Sequence, residues 1–91
     1  MKRIAHRDKL KIYNDLLSIL NDEANEKVVL THIQLRLNVP FDRLKNYISE
    51  LTELGLIDDE NLLNLTEKGR QYLLEYRDVI EFMKRMGIAY R

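Results

Sequence analysis

Val39-Pro40-Phe41-Asp42-Arg43-Leu44-Lys45-Asn46-Tyr47-Ile48-Ser49-Glu50-Leu51-Thr52-Glu53-Leu54-Gly55-Leu56-Ile57 is the stretch on which the fold turns. The residue before a proline is pushed out of the helical region, so Asn38-Val39-Pro40 reads as a turn. Phe41, Leu44, Ile48 and Leu51 then step by three, four and three, the inward stripe of a helix running to about Leu54. Tyr47 flanks that stripe. Gly55 stands where a helix ends on a left-handed residue.

Upstream, Thr31 is a good N-cap for a short helix to about Leu37, with Ile33 and Leu37 inward. Val28-Val29-Leu30 reads as a brief strand, and Asn21 to Glu26 is a polar break. Before it, Leu10, Tyr13, Leu17 and Leu20, with Ile12, Leu16 and Ile19 beside them, make a broad apolar stripe on a helix from Asp8 to about Leu20. Downstream, Leu56-Ile57 and Leu62-Leu63-Asn64-Leu65 read as two strands joined by Asp58-Asp59-Glu60-Asn61, a polar hairpin turn. Thr66 with Glu67 and Lys68 opens a last helix that runs to about Met86, before Gly87.

A short helix, a tight turn and a second helix form a helix-turn-helix, and the hairpin that follows makes it a winged helix. The expected class is mainly α with a small β-hairpin. Residues 1–70 read as the winged helix-turn-helix domain, and 71–91 as a C-terminal helix that serves for dimerisation.

The chain has 91 residues, enough for one domain, and no cysteine, which excludes disulfides and cysteine-based metal or redox sites. Two histidines, His6 and His32, are too few for a metal centre. Neither a Gly-rich phosphate loop nor a HExxH motif is present, so no catalysis and no cofactor are expected. The amino end lacks the apolar run of a signal peptide, and no stretch approaches a membrane span. The expected location is cytoplasmic and nucleoid-associated, with no membrane partner and no small-molecule ligand.

Fifteen basic residues balance fifteen acidic ones, but their distribution is uneven. Lys2, Arg3, Arg7, Lys9 and Lys11 crowd the amino end against Asp8. Lys27, Arg36, Arg43 and Lys45 outweigh Asp42 in the middle. Counterion release depends on the charges that face phosphate, not on the sum over the chain. With Leu44, Ile48 and Leu51 inward, the 41–54 helix leaves Asp42, Arg43, Lys45, Asn46 and Ser49 outward. Arg forks onto guanine, Asn onto adenine, and Lys and Ser suit phosphate or either base. A solvated face of mixed polar residues is the bland alternative, and the surrounding helix-turn-helix favours double-stranded DNA. Thr31 and His32, at the start of the short helix, are a candidate phosphate seat. Arg36 and the basic arm of Lys2, Arg3 and Arg7 are further candidate DNA contacts, the arm set against a frayed, solubilising terminus.

Three stretches carry a family resemblance: Val39 to Ile48, Glu50-Leu51-Thr52-Glu53-Leu54-Gly55-Leu56-Ile57, and Leu65-Thr66-Glu67-Lys68-Gly69-Arg70-Gln71-Tyr72-Leu73. Together they resemble the archaeal winged-helix regulators, most closely the roughly ten-kilodalton DNA-binding proteins that pair through an antiparallel C-terminal coiled coil. The likeness covers about Leu10 to Tyr76. It implies DNA binding by the 41–54 helix and dimerisation by the last one. One departure is the acidic wing loop, which DNA would repel at close range, so no DNA contact is assigned to it.

On the last helix Leu73, Tyr76, Ile80 and Met83 step as coiled-coil core positions would, with Val79 and Met86 beside them. A second copy would hide this stripe; the alternative is a helix folded back onto its own core. A two-fold dimer sets two reading helices about one DNA turn, ~10 bp, apart. Transcriptional regulation is the leading expectation. A sequence-nonspecific architectural DNA binder and a winged-helix protein-interaction module stand as alternatives.

Overall fold

The computed structural model describes residues 5–23, 29–58 and 63–88. Among them run α1 (Ala5–Asp22), α2 (Leu30–Leu37), α3 (Phe41–Glu53), β1 (Ile57–Asp58), β2 (Asn64–Leu65) and α4 (Glu67–Met86). The two strands pair antiparallel, Ile57 opposite Leu65 and Asp58 opposite Asn64. The protein is therefore mainly helical, with a small hairpin and a long last helix. Lys2, Arg3, the Arg7 side chain and the loop residues Asp59, Glu60 and Asn61 lie outside the described residues.

The core gathers Tyr13, Leu16, Leu17, Ile19 and Leu20 of α1 around Ile33 of α2, Leu44 and Leu51 of α3, and Leu56 and Ile57 at the hairpin. These are the inward positions of the 3.6-residue periods, and each fully buried leucine contributes about 2 kcal/mol. Leu37, Ile48, Tyr72 and Leu73 pack against its edge. The apolar stripe of α1 divides. Leu10 is 47% exposed because it lies a turn beyond the core, beside α4 instead.

The strand expected at Val28-Val29-Leu30 is not formed by its described residues. Leu30 begins α2 and Val29 is its N-cap, extended at φ −103° and ψ 129°. Thr31 is thus not the cap but the second helical residue. The reason is packing: starting at Leu30 sets Leu30 and Ile33 three apart on the side that meets the core. That outweighs a side-chain cap bond, and none forms. Phe41 also departs from the expected inward stripe. It is 41% exposed, at the very start of α3, with the Lys45 ammonium 5.8 Å from its ring centroid.

The turn after α2 is tight because Asn38 takes the left-handed conformation, φ 61°, one of few non-glycine residues that tolerates it. α3 ends in a Schellman motif: the Leu56 N–H donates to the Leu51 carbonyl at 2.9 Å and Gly55 N–H to Thr52 at 3.0 Å. Gly55 sits at φ 84°, where a Cβ would be strained.

The start of α4 closes over that end. Thr66 caps α4 by accepting from the Gly69 N–H at 3.0 Å, while its hydroxyl donates to the Gly55 carbonyl at 2.6 Å. Lys68 donates to the Leu54 carbonyl, also at 2.6 Å. Two carbonyls freed by the end of α3 are thus satisfied from α4. Thr66→Ala removes both Thr66 bonds and is expected to cost about 1–2 kcal/mol. Urea unfolding measures it, and Thr66→Ser, which keeps the hydroxyl, should recover most of the loss.

Candidate nucleic-acid interface

The face to be judged is that of α3. Leu44 and Leu51 are buried, Tyr47 and Ile48 half-buried, and Asp42, Arg43, Lys45, Asn46, Ser49 and Glu53 exposed. The structure therefore leaves outward all five residues expected there from the sequence. Among the described residues neither Arg43 nor Lys45 enters an ion pair. An unneutralised exposed cation is available to a phosphate, whereas a paired one must first give up its carboxylate.

The α2 candidates are arranged differently. Arg36 reaches Glu23 at 3.1 Å and Asp22 at 3.6 Å, and His32 Nε2 lies 3.0 Å from the same Glu23 carboxylate. These contacts tie α2 to the end of α1, so a phosphate would have to compete with two carboxylates for them. Thr31 is exposed in the first turn of α2, which carries no acidic residue.

α3 is held at its angle by a contact that was not legible in the sequence. Tyr13 of α1 donates its phenol hydrogen to Glu50 of α3, and Lys9 sits 3.3 Å from the same carboxylate. Tyr13 also meets Tyr47 edge-on, with ring centroids 6.1 Å apart. The Tyr13 hydrogen bond, helped by the Lys9 hydrogen bond and charge and opposed by burial, holds the Glu50 carboxyl below its ordinary range. Burial, and then the Glu50 bond, pushes the Tyr13 phenol well above its own.

The pH sign follows from linkage. A depressed carboxyl contributes stability that is present above its unfolded value and lost as pH falls through the folded one. A raised phenol contributes stability present below about 10 and lost above it. Tyr13→Phe should therefore flatten the acid limb of a stability–pH profile measured by urea midpoints, and remove part of the alkaline fall.

α4 bears a second exposed feature. Leu10 of α1 and Tyr72, Glu75, Tyr76, Val79 and Ile80 of α4 line an open, largely apolar groove of about 260 Å³. Tyr72 donates to the Leu10 carbonyl at 2.8 Å and stacks on Tyr76 at 6.2 Å. Of the expected dimerisation residues, Leu73 packs on the protein's own core. Tyr76, Ile80 and Met83 are half-buried, and Val79 and Met86 are more than half exposed.

The model of the winged helix-turn-helix family matches residues 6–84. The chain belongs to the winged helix-turn-helix family. Neither the curated proteins nor the solved structures contain a match to it. This is a DNA-binding, non-enzymatic kind of domain, and α3 stands in the position of the second helix of the motif. Among the described residues no helix is long and apolar enough to cross a membrane, and no three His, Cys, Asp or Glu residues group as a metal site would require.

Proposed function

We propose that this winged helix binds double-stranded DNA through α3 as a homodimer and serves as a transcriptional regulator. The observation that carries the DNA part is the exposed face of α3, whose two cations enter no ion pair among the described residues while Arg36 of α2 is paired with Asp22 and Glu23. The 13-residue helix is seated on the core by Leu44 and Leu51, against α1, α2 and the hairpin, which brace it. Its mixed charge suits base reading more than a uniformly basic grip, which favours a regulator over an architectural binder.

Homodimerisation is the reading of the α4 face. Leu10, Tyr76, Val79, Ile80, Met83 and Met86 form a strip that continues past the core, and Val79, Phe82 and Met86 each stay at least half exposed. A second copy of α4, laid antiparallel in the manner of the archaeal relatives the sequence resembles, would cover it. The cytoplasmic nucleoid is the location this function implies.

The test is enrichment. The protein is incubated with a genomic fragment pool and a random-sequence duplex at several salt concentrations. Binding that falls with salt and enriches particular fragments is the expected result. Salt-dependent binding without enrichment would make the protein an architectural binder. No binding at the lowest salt would reject DNA as the partner.

A further inference from the structure

The circular arrangement of α3 divides its exposed residues into a crown and two flanks. At about 100° per residue, Asp42, Asn46, Ser49 and, at the far end of the helix, Glu53 fall together, opposite the buried line of Leu44 and Leu51. Arg43 and Lys45, two positions apart, lie roughly 160° from one another, one on each flank. The surroundings agree. Lys45 lines a cleft with Leu30, Ile48 and Leu63, whose outer edge is formed by Ser49 and Glu53 of the crown. Arg43 shares its flank with Tyr47 and Glu50, whose partners Tyr13 and Lys9 are on α1.

A helix lying in the major groove presents its crown to the base edges and its flanks to the phosphates of the two strands. Resting on the DNA reading above, we infer that Asp42 and Asn46 are the sequence-determining residues, and that Arg43 and Lys45 grip phosphates on opposite strands. The crown chemistry names the bases. An Asp carboxylate accepts a hydrogen bond from the cytosine amino group, and an Asn amide pairs bidentately with adenine. Asp42 has a further consequence: a carboxylate facing the groove repels every duplex that offers it no donor. It raises discrimination while lowering general affinity.

The experiment is selection from a random duplex library with the full chain and four single variants, each at an exposed position where the fold is expected to persist. Asn46→Ala should lose preference at one motif position, the correct base there losing its roughly tenfold advantage. Asp42→Ala should lose a cytosine at another and bind off-target duplexes more tightly than the parent. Arg43→Ala and Lys45→Ala should keep the motif, weaken all sequences alike, and each reduce the salt slope by about 0.9 per bound protomer. Two results would overturn the assignment while DNA binding stands: a motif position erased by Arg43→Ala or Lys45→Ala but kept by Asp42→Ala and Asn46→Ala, or a parent protein that binds without any motif. A parent that does not bind at low salt would remove the underlying DNA reading as well.

Discussion

Gly69→Ala is expected to lower stability by about 2–3 kcal/mol, although it replaces glycine by the best helix former inside a helix. Propensity alone would gain about 1 kcal/mol. A Cβ at this position, however, would stand 2.4 Å from the Leu56 carbonyl oxygen and 2.9 Å from Leu65 Cδ1. The first of these is backbone, fixed by the Thr66 N–H that donates to the same carbonyl at 3.1 Å, so it cannot turn away as a side chain would. Either α4 lifts off the hairpin or the hairpin shifts, and overpacking of this kind outweighs the propensity gain. For a domain of this size the melting temperature should fall by on the order of 10–20 °C. Gln71→Ala, on an exposed position of the same helix, should stay within about 0.5 kcal/mol of the parent. Thermal melts of both variants measure the difference, and a stabilised Gly69→Ala would show that α4 does not press on the hairpin.

Ile80→Asp is expected to convert the proposed dimer to a monomer and, with it, to abolish tight binding to a paired DNA site. Ile80 is half-buried in the α1–α4 groove but does not belong to the core, so a charge there spares the folded protomer. Across an antiparallel helix pair it would bury a carboxylate with nothing to neutralise it. Each protomer then binds its half-site alone, and the linkage that made the second contact intramolecular is lost. That loss amounts to about 10²–10⁴ in affinity for the paired site. Light scattering gives the mass and anisotropy gives the affinity. Leu74→Asp is the control: Leu74 is exposed on the far side of α4, in a cleft with Asn21, Arg70 and Arg77. It should leave the dimer whole, and a dimer broken by Leu74→Asp but not by Ile80→Asp would place the interface on the wrong face.

Legibility followed the strength of the local signal. α3 and α4 could be read almost to the residue because their periods are long and their ends carry Pro40, Gly55, Thr66 and Gly87. The motif Leu65-Thr66-Glu67-Lys68-Gly69 was visible, but its purpose was not. Thr66 and Lys68 serve carbonyls of the preceding helix, and Gly69 permits the close approach that lets them reach. Such reciprocal bonds join residues more than ten positions apart and leave no periodic trace. The start of α2 differs from its local signals for a related reason. β-branched Val29 and a good capping Thr31 pointed one way locally, while the docking of Leu30 and Ile33 on the core decided otherwise.

On the candidate interface, residue types and outward positions were legible, but the pairing of charges was not. Arg36 and Arg43 look alike in the sequence; only the fold brings Asp22 and Glu23 against the first and, among the described residues, gives the second no ion pair. Phe41 was assigned to the core by its spacing, yet the first turn of α3 overhangs it. The Tyr13–Glu50 bond that fixes α3 against α1 spans the whole helix-turn-helix and could not be inferred from either residue alone.

The most direct test of DNA binding by α3 is the salt dependence of affinity for one duplex, measured by fluorescence anisotropy for the parent and for the Arg43→Ala/Lys45→Ala double variant. The predicted result is binding by the parent that weakens steeply with salt, and a double variant whose slope is smaller by about 1.8 per bound protomer, about 3.6 for the dimer. A double variant that binds with the parent's affinity and slope would contradict it, since the DNA would then lie on some other face.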